Sequence, residues 1–125
     1  NEWRRFLTAL LKVHETEGRQ VTVVSGEIHL ATRGTLASSN GPLHQLVASG
    51  ITHPPPPEFY ARFLGGLAKL GLTPLPRHRI GLHPLPGRAT TYTAQRNYLM
   101  LAREDGRWRT WWELEDGATE DLALG

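Results

Sequence analysis

Residues 21–29 read VTVVSGEIH, a short β-branched run that leads into a polar segment. The run is too brief for a helix and is typical of a buried strand. In the extended segment that follows, Glu27 and His29 are two residues apart and project to the same side. A carboxylate and an imidazole so placed are suited to sharing a metal ion or two adjacent ions, and Gly26 permits close backbone approach. The alternative is a polar loop pair that meets solvent.

An amphipathic helix is predicted before this strand, over residues 2–16. Its apolar face recurs with helical spacing at Trp3, Phe6, Leu7, Leu10, Leu11 and His14. Gly18 suits a left-handed stop after the helix. Because His14 belongs to the apolar face, we expect it to be a packed core histidine rather than a ligand.

The segments after residue 29 are harder to assign. Ser25 to Gly41 is rich in Ser, Thr and Gly and is interpreted as a long loop. Leu43 to Ser49 is predicted to be a second buried strand of the same sheet. A second helix is predicted over Glu58 to Leu70, directly after four prolines. The proline-rich residues 72–90 leave Arg77 to His83 as a short strand, preferably at a sheet edge.

The C-terminal third contains the strongest hairpin signal, Asp105-Gly106 between two apolar runs, which predicts a type I′ turn. The register then pairs Glu104 with Arg107, Met100 with Trp111, Leu99 with Trp112, and Arg96 with Glu115. The end pairs have complementary charges, which favours this register. Trp108 and Trp112 share one face of the hairpin and are expected in the core, whereas Trp111 lies on the other face.

Composition limits the classes of function. A length of 125 residues fits a single domain with a core of its own, and a net charge of +2 gives no reason to expect a nucleic-acid partner. No apolar run is long enough for a membrane span. The chain has no Cys, which excludes thiol nucleophiles and disulfides and leaves the compartment undecided.

The order of these motifs resembles the C-terminal part of alkaline phosphatase D (PhoD)-like metallophosphoesterases, a branch of the calcineurin-like superfamily. That family shows a buried strand ending in S-G-D-V-H, a Q-L-V-S-S strand, a late R-N-Y-L-V-L strand and a tryptophan-containing partner strand. The counterparts here are Ser25–His29, Gln45–Ser49, Arg96–Leu101 and Trp108–Glu115. The resemblance extends over nearly the whole chain.

The resemblance implies an α/β to α+β fold, namely the C-terminal portion of a metallophosphoesterase β-sandwich with a helix on each side, ending in antiparallel hairpin strands. It implies hydrolysis of phosphate esters at a centre of two metal ions, which would be Fe, Mn, Ca or Zn. His29 would be a metal ligand in the catalytic site. Glu27 stands where this branch usually has Asp, so it would either bind metal or orient a ligand. Arg33 would contact the phosphate or be a surface cation, and His44 and His53 could approach the same site.

Most of the superfamily's metal motifs are missing from this chain. The first Asp is Asp105, so motifs of the types D-x-H and G-D-x-x-Y cannot precede Glu27. We therefore interpret residues 1–125 as one domain, a C-terminal fragment of a larger phosphoesterase that is inactive by itself. Such a fragment would expose apolar sheet surface to the remainder of the parent chain or to a second copy. The alternative is a non-catalytic structural or interaction domain derived from that fold.

Overall fold

The computed structural model describes residues 2–26, 30–48, 50–51, 72–75 and 77–125. Helix α1 spans Glu2–His14, and its buried residues are Leu7, Leu11 and His14. Trp3 and Phe6, at the start of the predicted apolar face, remain half exposed. Gly18 has a positive φ but lies four residues beyond the end of α1, in a turn closed by a hydrogen bond from the Arg19 N–H to the Thr16 carbonyl, so it does not end the helix itself. The predicted first helix is thus confirmed, whereas the second, over 58–70, lies outside the described residues.

The first sheet has five strands: β1 (Thr22–Ser25), β2 (Thr32–Leu36), β3 (Leu43–Val47), β4 (Leu72–Leu75) and β5 (His78–His83). Their order across the sheet is β1-β3-β2-β5-β4. β1 pairs with β3 in parallel, and the pairs of β2 with β3, β2 with β5 and β4 with β5 are antiparallel. The two strands predicted to share a sheet are therefore direct neighbours, with β1 at the edge.

Two predictions in this sheet are wrong. The stretch interpreted as a long loop contains β2, which is the central strand. Its side chains alternate between buried and half-buried as a strand requires, but Arg33, Gly34 and Thr35 hide that alternation from a reading based on apolar residues. The strand β5 is also not at the edge, because β4 pairs outside it. The edge strand β4 is the one that contains proline, at Pro74, where a missing N–H costs no ladder bond.

The second sheet is made of β6 (Asn97–Glu104), β7 (Arg107–Leu114), β8 (Gly117–Ala118) and β9 (Leu122–Leu124). Its hairpin has the predicted register, with Glu104 opposite Arg107 and Leu99 opposite Trp112. Asp105 and Gly106 have φ of 51° and 76°, as a type I′ turn requires. The register is confirmed residue by residue.

Two apolar clusters join these elements into layers. Leu7 and Leu11 of α1 pack on Leu36 and Leu43 of the first sheet. The opposite face of that sheet packs on the second sheet through a cluster made of Ala31, Leu46, Leu85, Trp112, Leu114 and Leu124. The order is thus helix, sheet, sheet, a sheet-rich α+β arrangement. Within the part of the chain described, a second sheet occupies the face on which a second helix was expected.

The two tryptophans predicted for the core differ. Trp112 is fully buried, and its Nε1 donates a hydrogen bond to the Val47 carbonyl at 3.0 Å. Trp108 is 47% exposed and lies near the turn, with Arg103 over its ring. The core prediction is therefore confirmed for Trp112 and wrong for Trp108. The one described helix, α1, falls short of what a membrane crossing needs in length and apolar character.

Candidate functional site

The predicted metal ligands follow the carboxyl end of β1. Ser25 is the last residue of that strand and lies opposite Val47 of β3. The parallel pairing continues past the strand ends, since the Ala48 N–H donates to the Ser25 carbonyl at 3.1 Å. Glu27 and His29 come directly after in sequence and lie outside the described residues.

The chain is anchored again immediately beyond these residues. Leu30 is buried, and Ala31 exchanges two backbone hydrogen bonds with Thr93, at 3.0 and 2.8 Å. The segment of residues 26–29 therefore connects two fixed points, the end of β1 and the bridge at Ala31. His53, one of the two further candidate ligands, also lies outside the described residues.

Arg33, the predicted phosphate contact, belongs to β2 and is half-buried. Its Nε donates a hydrogen bond to the Pro84 carbonyl at 2.7 Å, which fixes the plane of the guanidinium. Burial lowers the pKa of Arg33 from its usual value. Among the described residues no carboxylate pairs with it. A half-buried guanidinium with this surrounding is suited to an oxyanion.

Two histidines lie beside Arg33 on the same face of the sheet. His83 of β5 is directly opposite Arg33, and His44 of β3 is directly opposite Thr35, two residues further along β2. The Nε2 atom of His83 is 2.8 Å from the Thr35 hydroxyl oxygen. We call Arg33, Thr35, His44 and His83 the polar cluster.

Burial and a neighbouring positive charge favour the neutral form of both histidines of the polar cluster. Burial lowers the pKa of His44, and the nearby Arg33 guanidinium lowers it further, with smaller contributions from His14 and His83. Burial and then Arg33 lower the pKa of His83. Neutral imidazoles can each donate one hydrogen bond and accept another.

The other described histidines have structural roles. His14 is buried, with Nε2 at 3.0 Å from the Gly41 carbonyl and Nδ1 accepting from the Val21 N–H at 3.0 Å. Its prediction as a core histidine is confirmed. His78 lies 2.7 Å from the Ala37 carbonyl. His83 lies on the internal strand β5 and is partly buried.

The described residues contain no group of three or more His, Asp or Glu side chains able to hold a metal ion. Comparison of the chain with protein-family models, curated proteins and solved structures gives no significant match.

The sequence prediction missed His83 and Thr35 as site residues. A signal for them exists in the alternation of β2 and β5. Arg33 and Thr35 are two residues apart, as are Gly81 and His83. Recognising β2 as a strand would have placed the first pair on one face.

Proposed function

We propose that this chain is the C-terminal portion of a metal-dependent phosphoesterase, acting on phosphate mono- or diesters. In this proposal His29 binds metal, Glu27 binds metal or orients a ligand, and Arg33 contacts the phosphate group of the substrate. The site is completed by the remainder of the parent protein. The fold is then the C-terminal portion of a metallophosphoesterase sandwich.

One observation carries the proposal, the state of Arg33. Its guanidinium is half-buried, hydrogen-bonded to the Pro84 carbonyl and paired with no described carboxylate. Burying a cation without a partner costs free energy, so such a group is retained where an anion arrives. His29 precedes Arg33 by four residues, so the predicted metal ligand and the anion contact flank the same short stretch of chain.

The arrangement of β1 and β3 supports the same conclusion. Open sheets with parallel strands bind ligands beyond the carboxyl ends of those strands. β1 and β3 are the parallel pair of the first sheet, and the segment that carries Glu27 and His29 starts at the carboxyl end of β1. This parallel pair is the part of the first sheet to which that rule applies, since the sheet's other pairs are antiparallel, and the resemblance expects the metal ligands at its carboxyl end.

The metal ions would contribute Lewis-acid chemistry and a bound hydroxide. The described residues alone do not form a metal site, so the donors from this chain would be Glu27 and His29. One carboxylate and one imidazole fall short of the ligand set of two ions. The chain's own described residues therefore act on the substrate by binding and orienting its anionic group.

The complete gene product is the material for the test. We expect it to hydrolyse p-nitrophenyl phosphate or bis(p-nitrophenyl) phosphate after removal of metal and reconstitution with Mn, Fe, Ca or Zn. His29→Ala should abolish turnover and reduce the bound metal, and Glu27→Gln should lower activity by roughly 10–100-fold. His78→Ala, the same substitution outside the site, should retain activity. Absence of hydrolysis of both esters with every metal would contradict the proposal.

An exposed apolar strip favours a second candidate function, an interaction domain. The edge strand β1 leaves Val24 53% exposed, and Val24 lines a groove with Leu101, Trp108 and Leu124. An unpaired apolar edge strand is a surface for another chain, either the remainder of the parent or a second copy.

The interaction function is tested by sedimentation velocity. We expect the 125-residue chain to self-associate, and Val24→Lys to suppress this more than Val13→Lys does. Val13 is the matched control because it is an exposed valine on α1. A monomer at every concentration would contradict self-association through this edge.

A further inference from the structure

The polar cluster is a built arrangement on one face of three neighbouring strands. Arg33 and Thr35 alternate with Gly34 on β2 and therefore share a face. His83 lies opposite Arg33, and His44 lies opposite Thr35. The cross-strand pairs bring all four side chains together beside the apolar layer that contains Leu46.

A glycine makes room for one member of the polar cluster. The Cβ of an alanine at Gly81 would be 3.0 Å from His83 Nε2 and 3.4 Å from the Thr35 hydroxyl oxygen. The ring of His83 thus folds back over Gly81 to reach Thr35. The absence of a side chain at 81 is what allows this hydrogen bond.

The second histidine has an unmet hydrogen-bonding group. His44 is 8% exposed, and its Nδ1 is buried with no hydrogen-bond partner among the described residues. A buried polar atom without a partner costs free energy. Beside it, Arg33 uses its Nε for Pro84, which leaves the two terminal nitrogens of the guanidinium to bind a ligand.

These groups define the chemistry of the missing partner. Arg33 supplies a positive charge in a fixed plane, and neutral His44 and the Thr35–His83 pair supply hydrogen-bonding groups from neighbouring strands. No described carboxylate neutralises the site. Donors converging from several strands suit an anion with oxygens in several directions more than a planar one.

We propose that Arg33, Thr35, His44 and His83 form a binding site for a tetrahedral oxyanion, a phosphate group. Arg33 pairs with two oxygens, and His44 donates from Nδ1. Thr35 and His83 hold each other in position through their hydrogen bond and complete the edge of the binding site. The identity of this anion as the substrate's phosphate rests on the proposed function, whereas anion binding by the chain does not.

The test is direct binding of inorganic phosphate to the 125-residue chain, observed through the histidine ring resonances in NMR spectra at constant ionic strength. Phosphate should shift the His44 and His83 rings with saturation in the millimolar range. The rings of His14 and His78 should shift little and report that the fold is intact. Sulfate should bind similarly and acetate at least tenfold more weakly.

Variants then assign the contact. Arg33→Gln should weaken phosphate binding by tenfold or more, whereas Arg79→Gln, an exposed arginine of β5, should change it less than twofold. Thr35→Val removes the hydroxyl with little change of shape and should weaken binding severalfold. If Arg33→Gln unfolds the chain, the Thr35→Val result decides whether the polar cluster binds phosphate.

Three outcomes would overturn the inference: no saturable shift, equal binding of acetate and phosphate, or equal shifts at all four histidines. Its failure is distinguishable from failure of the proposed function. Phosphate binding together with an inactive complete protein would reject the esterase and keep the site. An active protein whose Arg33 and Thr35 variants bind phosphate normally would keep the esterase and reject the site.

Discussion

The two faces of the first sheet come from the same strands but carry different chemistry. Toward α1 the face is apolar, with Val23, Leu36, Leu43, Ile80 and Leu82 around the helix. On the opposite face only part of the surface is apolar, where Leu46 packs against Trp112 of the second sheet. Another part of that face is the polar cluster.

The difference between the faces separates stability from function. The apolar face buries side chains that need no partner, so it stabilises the fold at little cost. The polar cluster buries a guanidinium and an unpartnered imidazole nitrogen. Local departures from good packing and pairing concentrate at functional sites. The polar face is therefore the one on which to look for a ligand.

The prediction with the largest expected effect is that the polar face by itself does not catalyse hydrolysis. We predict that the isolated 125-residue chain has no measurable phosphoesterase activity and binds divalent metal weakly. The metal donors proposed for this chain, Glu27 and His29, are too few to hold two ions or to lower the pKa of bound water to neutrality.

The measurement is hydrolysis of a chromogenic phosphomonoester and phosphodiester with added Mn²⁺, Fe or Ca²⁺. His29→Ala is the control that separates the chain's own turnover from contamination. Robust turnover that disappears in this control would show that the chain contains a complete site.

Removing the main contact between the sheets should give the next largest effect. Trp112→Ala leaves a cavity and removes the hydrogen bond to the Val47 carbonyl. We expect it to lower the free energy of unfolding by about 3–5 kcal/mol. Trp108→Ala, at a half-exposed site, should cost less than about 1 kcal/mol. Urea denaturation of both variants measures this, and similar losses would contradict the assignment of the core.

Two glycines allow a direct comparison of the faces. Gly81→Ala places a methyl group 3.0 Å from His83 Nε2 and should break the bond to Thr35. We expect about 1–3 kcal/mol of destabilisation and weaker phosphate binding. Gly34→Ala points to the apolar face, where it meets the flexible end of Leu82 at 3.2 Å. Because alanine is also favoured over glycine in a strand, the net change there should be within about 1 kcal/mol.

Thermal denaturation and phosphate titration of the two glycine variants are the measurements. Equal destabilisation with unchanged phosphate binding in both would mean that His83 does not need the space above Gly81.

The second sheet was predictable from the sequence and the first only in part. Asp105-Gly106 fixes a two-residue turn, and a turn of known length fixes every pair of the hairpin. The strand β2 has no such local signal. Its central position depends on contacts with β3 and β5, which are distant in sequence. Non-local pairing of a polar strand is information that a local pattern does not contain.

The candidate site was likewise predictable from the sequence only in part. Arg33 was found because it follows the Glu27–His29 motif in sequence. His83 is fifty residues away from Arg33 in sequence, and it enters the site only through the pairing of β2 with β5. The role of Gly81 depends on how the His83 ring folds over the strand, and no sequence spacing encodes that.

The smallest expected effect is a pH dependence of stability that arises from the polar face. The pKa values of His44 and His83 are lowered from 6.5, mainly by burial, and the unfolded chain therefore binds more protons than the folded one as the pH falls. The free energy of unfolding should be constant above about pH 6.5, decrease as the pH falls from there towards the lower folded-state pKa values, and level off below them. Arg33 and His14 face His44 and add repulsion once it is protonated.

Urea denaturation at about pH 7.5 and about pH 5.5 measures this effect of histidine protonation. His44→Gln and His83→Gln should each reduce the difference between the two conditions. The ion pair of Arg88 and Asp116 does not interfere, because the lowered pKa of Asp116 makes its contribution disappear only below about pH 3.8. A difference that persists unchanged in both variants would place the titrating groups elsewhere in the chain. The polar face would then not differ from the apolar face in its response to protons.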